Sequence, residues 1–191
     1  MESKRLALVV VIVGAALGTV SGLVWLIGSR NPDTPAGYVG YQIQGAVFGR
    51  AKFHGLQPGP GSPGRTWLVS VVNISVTPYT YTEEFKDRDD VLAKDNLKLS
   101  FRIHVTFRIH PDRVQEFVEK YSTIQKGDEG EKIVKDAYSN FVREPVRTYA
   151  RDEVQKLDDL LVKDNLTPIG TAITDRLKGL TGDTPFDVRS V

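Results

Sequence analysis

From Leu97 to Ile109 the chain alternates apolar and polar positions without a break. Leu97, Leu99, Phe101, Ile103, Val105, Phe107 and Ile109 fall on one set, and Lys98, Ser100, Arg102, His104, Thr106, Arg108 and His110 on the other. Successive strand side chains point to opposite faces, so the pattern predicts a strand with one buried face. Asp95-Asn96 supplies turn chemistry before it. Pro111 ends it, because proline has no N–H for a ladder yet has the φ of a first helical turn. The period then changes: Val114, Phe117, Val118 and Tyr121 stand at i, i+3, i+4 and i+7, the stripe of an amphipathic helix with Asp112 near its positive end. The rest of the chain is organised around this long strand and the helix it feeds.

At the N-terminus no charge occurs between Arg5 and Arg30. The intervening LALVVVIVGAALGTVSGLVWLIGS, at about 1.5 Å per residue, is long enough to cross roughly 30 Å of hydrocarbon and predicts a transmembrane anchor over residues 1–30. Leu6, Val10, Val13, Leu17, Leu23 and Ile27 form its apolar surface, and Trp25 suits an interfacial position. A cleaved signal peptide would have an apolar region of about 7 to 15 residues, shorter than this one. A soluble helix apolar on every face has nowhere to hide in so small a domain. Lys4 and Arg5 before the span, against Arg30 offset by Asp33 after it, predict a single-pass protein with a cytoplasmic N-terminus and an extracytoplasmic domain.

Residues 31–37, NPDTPAG, read as a short polar connector. Residues 38–191 then read as one domain. YVGYQIQGAV from Tyr38 is a strand broken by Gly40 and Gly45, and PGPGSPG at Pro58–Gly64 is an exposed loop or a tip approaching the membrane. WLVSVVNISV from Trp67 is a strand ended by Pro78, with Tyr79–Thr82 as its extension. The acidic run Glu83–Asp90 is expected as a solvated turn. Gln125–Gly130 reads as a loop before a helix on Ile133, Val134, Ala137, Tyr138 and Phe141, which Pro145 ends or kinks unless it sits at a junction. Asp152 is expected to cap a further segment, and Thr167-Pro168 to cap a helix buried through Ile169, Ile173, Leu177 and Leu180 and closed by Gly182. PFDVRSV begins a last strand with Phe186 and Val188 on one face. VLAKDNL and LLVKDNL look like a repeat, but their flanks differ and no period recurs.

Composition narrows the function classes. Lysine plus arginine (25) nearly balance aspartate plus glutamate (24), so no global field points to nucleic acid, and the absence of cysteine removes thiolate metal sites and cysteine nucleophiles. His104 and His110 share a strand face but stand roughly 20 Å apart, too far to share a metal unaided. No hydrolase, zincin or phosphate-loop motif occurs, so no catalytic, cofactor-binding or metal-ligating residue is assigned and no cofactor is implied.

The order of elements is specific: apolar anchor, then PAGYVGY, then strands, then VLAKDNLKLSFRIHVTFRIHPDRVQEF, then a helix with FVREPVRTYARDEV. It resembles the SPFH superfamily, the stomatin, prohibitin and flotillin (band 7) group, over about Pro35 to Val191. The resemblance rests on Pro35, Ala36 and Gly37 after the anchor, on Lys94-Asp95-Asn96 before a strand ended by proline, and on Val142, Arg143, Val146 and Arg147. It implies an α/β (α+β) domain with a curved, mainly antiparallel sheet and packed helices. It also implies a non-enzymatic scaffold that self-associates at the lipid bilayer and organises lipids or neighbouring membrane proteins, with a membrane protease as one partner class. Two departures stand out: PGPGSPG looks like an insertion, and the C-terminal coiled coil typical of the family is absent or truncated, with no sustained heptads. The competing reading is a membrane-tethered enzyme or accessory subunit with an unrecognised active site. For self-association the expected surface pairs the basic stripe of Arg102 and Arg108 with Asp87, Asp89 and Asp90, either within one subunit or between neighbours.

Overall fold

The computed structural model describes residues 2–122 and 129–191, with side chains from residue 10 onward. Helix α1 (Glu2–Gly28) is unbroken, and its Val10–Gly28 stretch is long and apolar enough to cross a membrane, with none of it buried against the domain. The strands follow in chain order: β1 (Ser29–Arg30), β2 (Tyr38–Gln44), β3 (Lys52–Pro58), β4 (Thr66–Trp67), β5 (Val69–Ser75), β6 (Tyr79–Phe85), β7 (Val91–Leu92), β8 (Lys98–Leu99) and β9 (Phe101–Ile109). Helices α2 (Val114–Glu116), α3 (Gly130–Ala137), α4 (Arg143–Val154), α5 (Asp159–Asp164) and α6 (Leu166–Thr181) come next, followed by β10 (Phe186–Ser190).

The domain is α/β with antiparallel pairing, as expected. Hydrogen bonding divides the strands into two three-stranded sheets, β3-β2-β5 and β10-β9-β6, and two short ribbons, β1-β4 and β7-β8. Strand β9 is the centre of the second sheet: Phe101 to Phe107 lie opposite Phe85 to Tyr79 of β6, and Phe107 and Ile109 lie opposite Val188 and Phe186 of β10. Its alternation is realised from Ile103 onward, where Ile103, Val105, Phe107 and Ile109 are buried. Leu97, expected on that face, is instead 53% exposed. The ladder has not begun there: β8 pairs only with β7, and the turn before it puts Asn96 at φ 64°, a left-handed conformation that asparagine tolerates.

Several other expectations are corrected. Gly40 lies inside β2 without breaking it, because it is paired on both sides, with Gln57 and Asn73; glycine is needed there since a side chain would collide with Thr34 and Val71. Strand β3 carries no alternation that would announce it, since it is an edge strand held by its ladder to β2 alone. PGPGSPG is exposed at Pro58, Pro60 and Ser62 to Gly64, as expected of a loop. Its first half is nevertheless tied down: Thr34 and Gly61 exchange backbone hydrogen bonds of 2.9 and 3.0 Å, and the Gly59 amide donates to the Tyr38 carbonyl at 2.9 Å. The connector is likewise packed, with Pro32 and Thr34 buried and Asn73 donating to the Asp33 carbonyl at 2.9 Å. The acidic run is a turn only from Lys86, because Glu83 to Phe85 belong to β6.

The helical half follows the apolar stripes. Pro111–Arg113 makes a tight first turn, Val114 and Phe117 are fully buried, and the last turn, Phe117–Tyr121, widens to a π-helix. Most of the expected Gln125–Gly130 loop, residues 125–128, lies outside the described residues. Pro145 sits at a junction, in the first turn of α4 just after a π-helical turn at Tyr138–Val142, where a missing N–H does little harm. Asp152 caps nothing, because it lies inside α4. Asn165 precedes α6, so Thr167-Pro168 falls within its first turn. The buried stripe runs Ile173, Leu177 and Thr181, in steps of four that leave Leu180 turned outward, and Gly182 follows with a right-handed φ of −53°. The two KDNL stretches differ in conformation: Lys94-Asp95-Asn96 is the turn between β7 and β8, whereas Lys163-Asp164 ends α5.

The core joins both halves. Phe107 lies between the rings of Tyr81, Tyr138 and Phe186, with centroids 6.3, 5.7 and 5.8 Å away, and Tyr81 stacks on Tyr138 at 4.0 Å.

Candidate functional site

Two places concentrate the chain's unusual chemistry: a buried charge cluster behind β6, and the end of the domain where α1 joins it. In β6 the inward positions run Tyr79, Tyr81, Glu83 and Phe85, so strand periodicity carries a carboxylate into the core. On the helix that packs behind it, Arg143, Arg147 and Arg151 recur every fourth residue and present one basic stripe. The Glu83 carboxylate accepts from Tyr138 Oη at 3.2 Å, Arg143 Nε at 3.2 Å and Arg147 Nη1 at 3.1 Å. Arg147 also donates to the Glu84 carbonyl and to Asp89, and its guanidinium lies 4.7 Å above the Phe85 ring. The Glu83 and Arg147 side chains are only 6% and 8% exposed.

Burial, with Glu83 beside it, pushes the Tyr138 phenol up, and burial pushes Tyr81 up to about 12, so both stay protonated at neutral pH. Tyr138 is thereby kept as a donor to Glu83. The cluster clamps α4 and the preceding turn to the sheet. Its place was legible in principle from the inward register of Glu83 and the i, i+4, i+8 arginines, but the surrounding acids made the segment read as a solvated run.

The expected self-association residues all lie on the domain, and most are committed within it. Arg102 pairs with Glu84 directly across β6 and β9 at 3.0 Å, and Arg108 pairs with Asp187 of β10 at 2.7 Å. Asp89 holds Arg147 at 2.9 Å and approaches Arg151 at 3.8 Å, and Asp90 accepts from the Ser100 hydroxyl at 2.7 Å. Asp87 is exposed in a left-handed turn conformation, φ 57°. Burial raises Asp187, but hydrogen bonding and charge from Arg108 and Arg189 outweigh it and hold its carboxyl below the usual range. His104 Nδ1 lies 3.0 Å from the Thr82 hydroxyl, and among the described residues no three His, Asp or Glu side chains gather in a metal-holding group.

At the other end, the expected anchor residues Val10, Val13, Leu17, Leu23, Trp25 and Ile27 are all exposed along α1, and Leu6 lies within the same helix. The helix is joined directly to the domain: the Leu68 amide donates to the Gly28 carbonyl at 2.8 Å, and β1 pairs with β4. The Trp67 ring lies against Gly28, where any side chain would collide with it.

Compared one by one with curated proteins, the chain finds no match. The family model described as SPFH domain / Band 7 family matches residues 34–191. That span begins at the buried Thr34 and takes in both sheets, the charge cluster and all the helices after α1. The chain belongs to the SPFH domain / Band 7 family.

Proposed function

We propose that this chain is a membrane-anchored, non-enzymatic scaffold whose domain self-associates outside the cytoplasm and organises lipids or neighbouring membrane proteins, a membrane protease among them. SPFH-family proteins are generally non-enzymatic scaffolds. The observation that carries the reading is the joint at Gly28: an apolar helix of membrane-spanning length passes into the domain through a backbone hydrogen bond and a strand pair. A domain held this way is confined to the membrane plane, which favours lateral contacts over free tumbling.

The surface best suited to those contacts is apolar. Leu92, Leu97, Leu160, Leu161 and Leu166 are exposed on the β7–β8 ribbon, α5 and the start of α6. The ribbon and α5 are tied together by Lys94 N to the Leu157 carbonyl at 3.0 Å and Asp159 N to Asp95 at 3.2 Å. Exposed leucines gathered at one place mark a protein contact more strongly than ion pairs already satisfied within the chain. Replacing Leu160 and Leu161 together by aspartate is expected to shrink the assembly in mild detergent while the fold survives. Arg102→Glu is expected to leave its size unchanged. The opposite pair of results would return the contact to the charged stripe of Arg102 and the acids Asp87–Asp90.

A further inference from the structure

We infer that the turn between β2 and β3 is a second membrane contact, selective for anionic phospholipid headgroups. Val47 and Phe48 at this turn are exposed, Phe48 to 94%, so the largest side chain of the turn touches almost nothing in its own chain. Its position says what covers it. The Gly45 amide donates to the Leu68 carbonyl at 2.7 Å, the Leu68 amide donates to the Gly28 carbonyl at 2.8 Å, and Gln44 Nε2 donates to the Trp67 carbonyl at 3.1 Å. Phe48 is three residues beyond Gly45, hence within about 10 Å of that junction. The Val10–Gly28 stretch, at about 1.5 Å per residue, matches the thickness of the hydrocarbon layer, which puts Gly28 at its boundary and the turn within reach of the headgroups.

Charge at the same end has one sign. From Ser29 to Trp67 the sequence holds four cations, Arg30, Arg50, Lys52 and Arg65, against the single acid Asp33. All four cations are exposed, and none forms an ion pair with a described residue. Elsewhere on the domain cations stand among acids, as Arg102 does beside Glu84 and Arg176 beside Asp152 and Glu153, so the local charge there does not have one sign. An apolar tip flanked by unpaired cations, held at the depth of the headgroups, fits an interfacial contact to anionic lipid. The inference rests on the membrane reading of α1.

The absence of native cysteine allows a clean test on the full-length chain. Ala46→Cys carries an environment-sensitive fluorophore beside Phe48, in vesicles of phosphatidylcholine with or without phosphatidylglycerol and with nitroxide-bearing lipids as quenchers. Leu17→Cys and Lys178→Cys, labelled the same way, mark the mid-span and an exposed position on the domain that has no part in the proposed leucine contact. The expected result is a blue-shifted, lipid-quenched label at position 46 that strengthens with phosphatidylglycerol, while the label at 178 stays in water. Phe48→Asp should abolish the signal, and Arg50→Gln with Lys52→Gln should remove its dependence on phosphatidylglycerol. With the label at position 17 quenched, a water-exposed label at 46 in both lipids overturns the contact, and equal quenching in both overturns its selectivity. A water-exposed label at 17 would instead overturn the membrane reading beneath it.

Discussion

Glu83 and Arg147 meet 3.1 Å apart inside the domain, one from the inward face of β6 and the other from α4. Removing one member of a buried pair costs up to about 3–5 kcal/mol when the other charge loses an acceptor it cannot replace. Asp89 and the Glu84 carbonyl meet only part of what Arg147 and Arg143 would lose. Glu83→Ala, which leaves Arg147, Arg143 and Tyr138 without their shared acceptor, is therefore expected to lower stability by that amount in denaturant titration of the full-length chain. Asp89→Ala, at the exposed edge of the same cluster, should cost no more than about 1 kcal/mol. Equal losses would mean that the cluster is not a clamp.

The register of β9 gives a second contrast. Phe107→Ala removes a ring packed against Tyr81, Tyr138 and Phe186 and should cost about 3–5 kcal/mol. Leu97→Ala, an apolar position of the same sequence alternation, should change stability by less than about 0.5 kcal/mol, because it precedes the ladder and is exposed. Comparable losses would place Leu97 in the core.

That contrast also shows how far the sequence could be read. Alternation located β9 and β10 because each buries one face against helices, so burial and pattern coincide from Ile103 to Ile109 and at Phe186 and Val188. It could not locate β3, whose exposed positions Lys52, Phe53 and His54 leave no periodic signal, nor foresee that Leu97 lies outside the ladder. Glu83 was hidden for a different reason. A charged side chain on an inward position breaks the binary pattern, and its partners Tyr138, Arg143 and Arg147, fifty-five to sixty-four residues away, make that burial tolerable. Arg108 read as part of a basic stripe because its partner, Asp187, comes from a strand distant in sequence.

Asp187 predicts a response to acid. Its folded-state carboxyl is held below its ordinary value, so its contribution to stability is complete above the unfolded value of about 3.9 and is lost as pH falls through the folded value. Asp187→Asn should cost about 1 kcal/mol at neutral pH, and the difference from the parent should shrink below about pH 4. A difference that grows on acidification would contradict the Arg108–Asp187 assignment.

Orientation is checked independently of assembly. A reporter fused after Val191 should be active only outside the cytoplasm, and the domain should be open to protease in sealed, right-side-out cells. Full protection of the domain would reverse the topology drawn from Lys4 and Arg5.

Self-association carries the account, and the mass of the purified full-length chain in mild detergent tests it most directly. Light scattering, with detergent mass subtracted, should return many times the 21.2 kDa of one chain. A single 21.2 kDa species across the concentration range would contradict the scaffold reading.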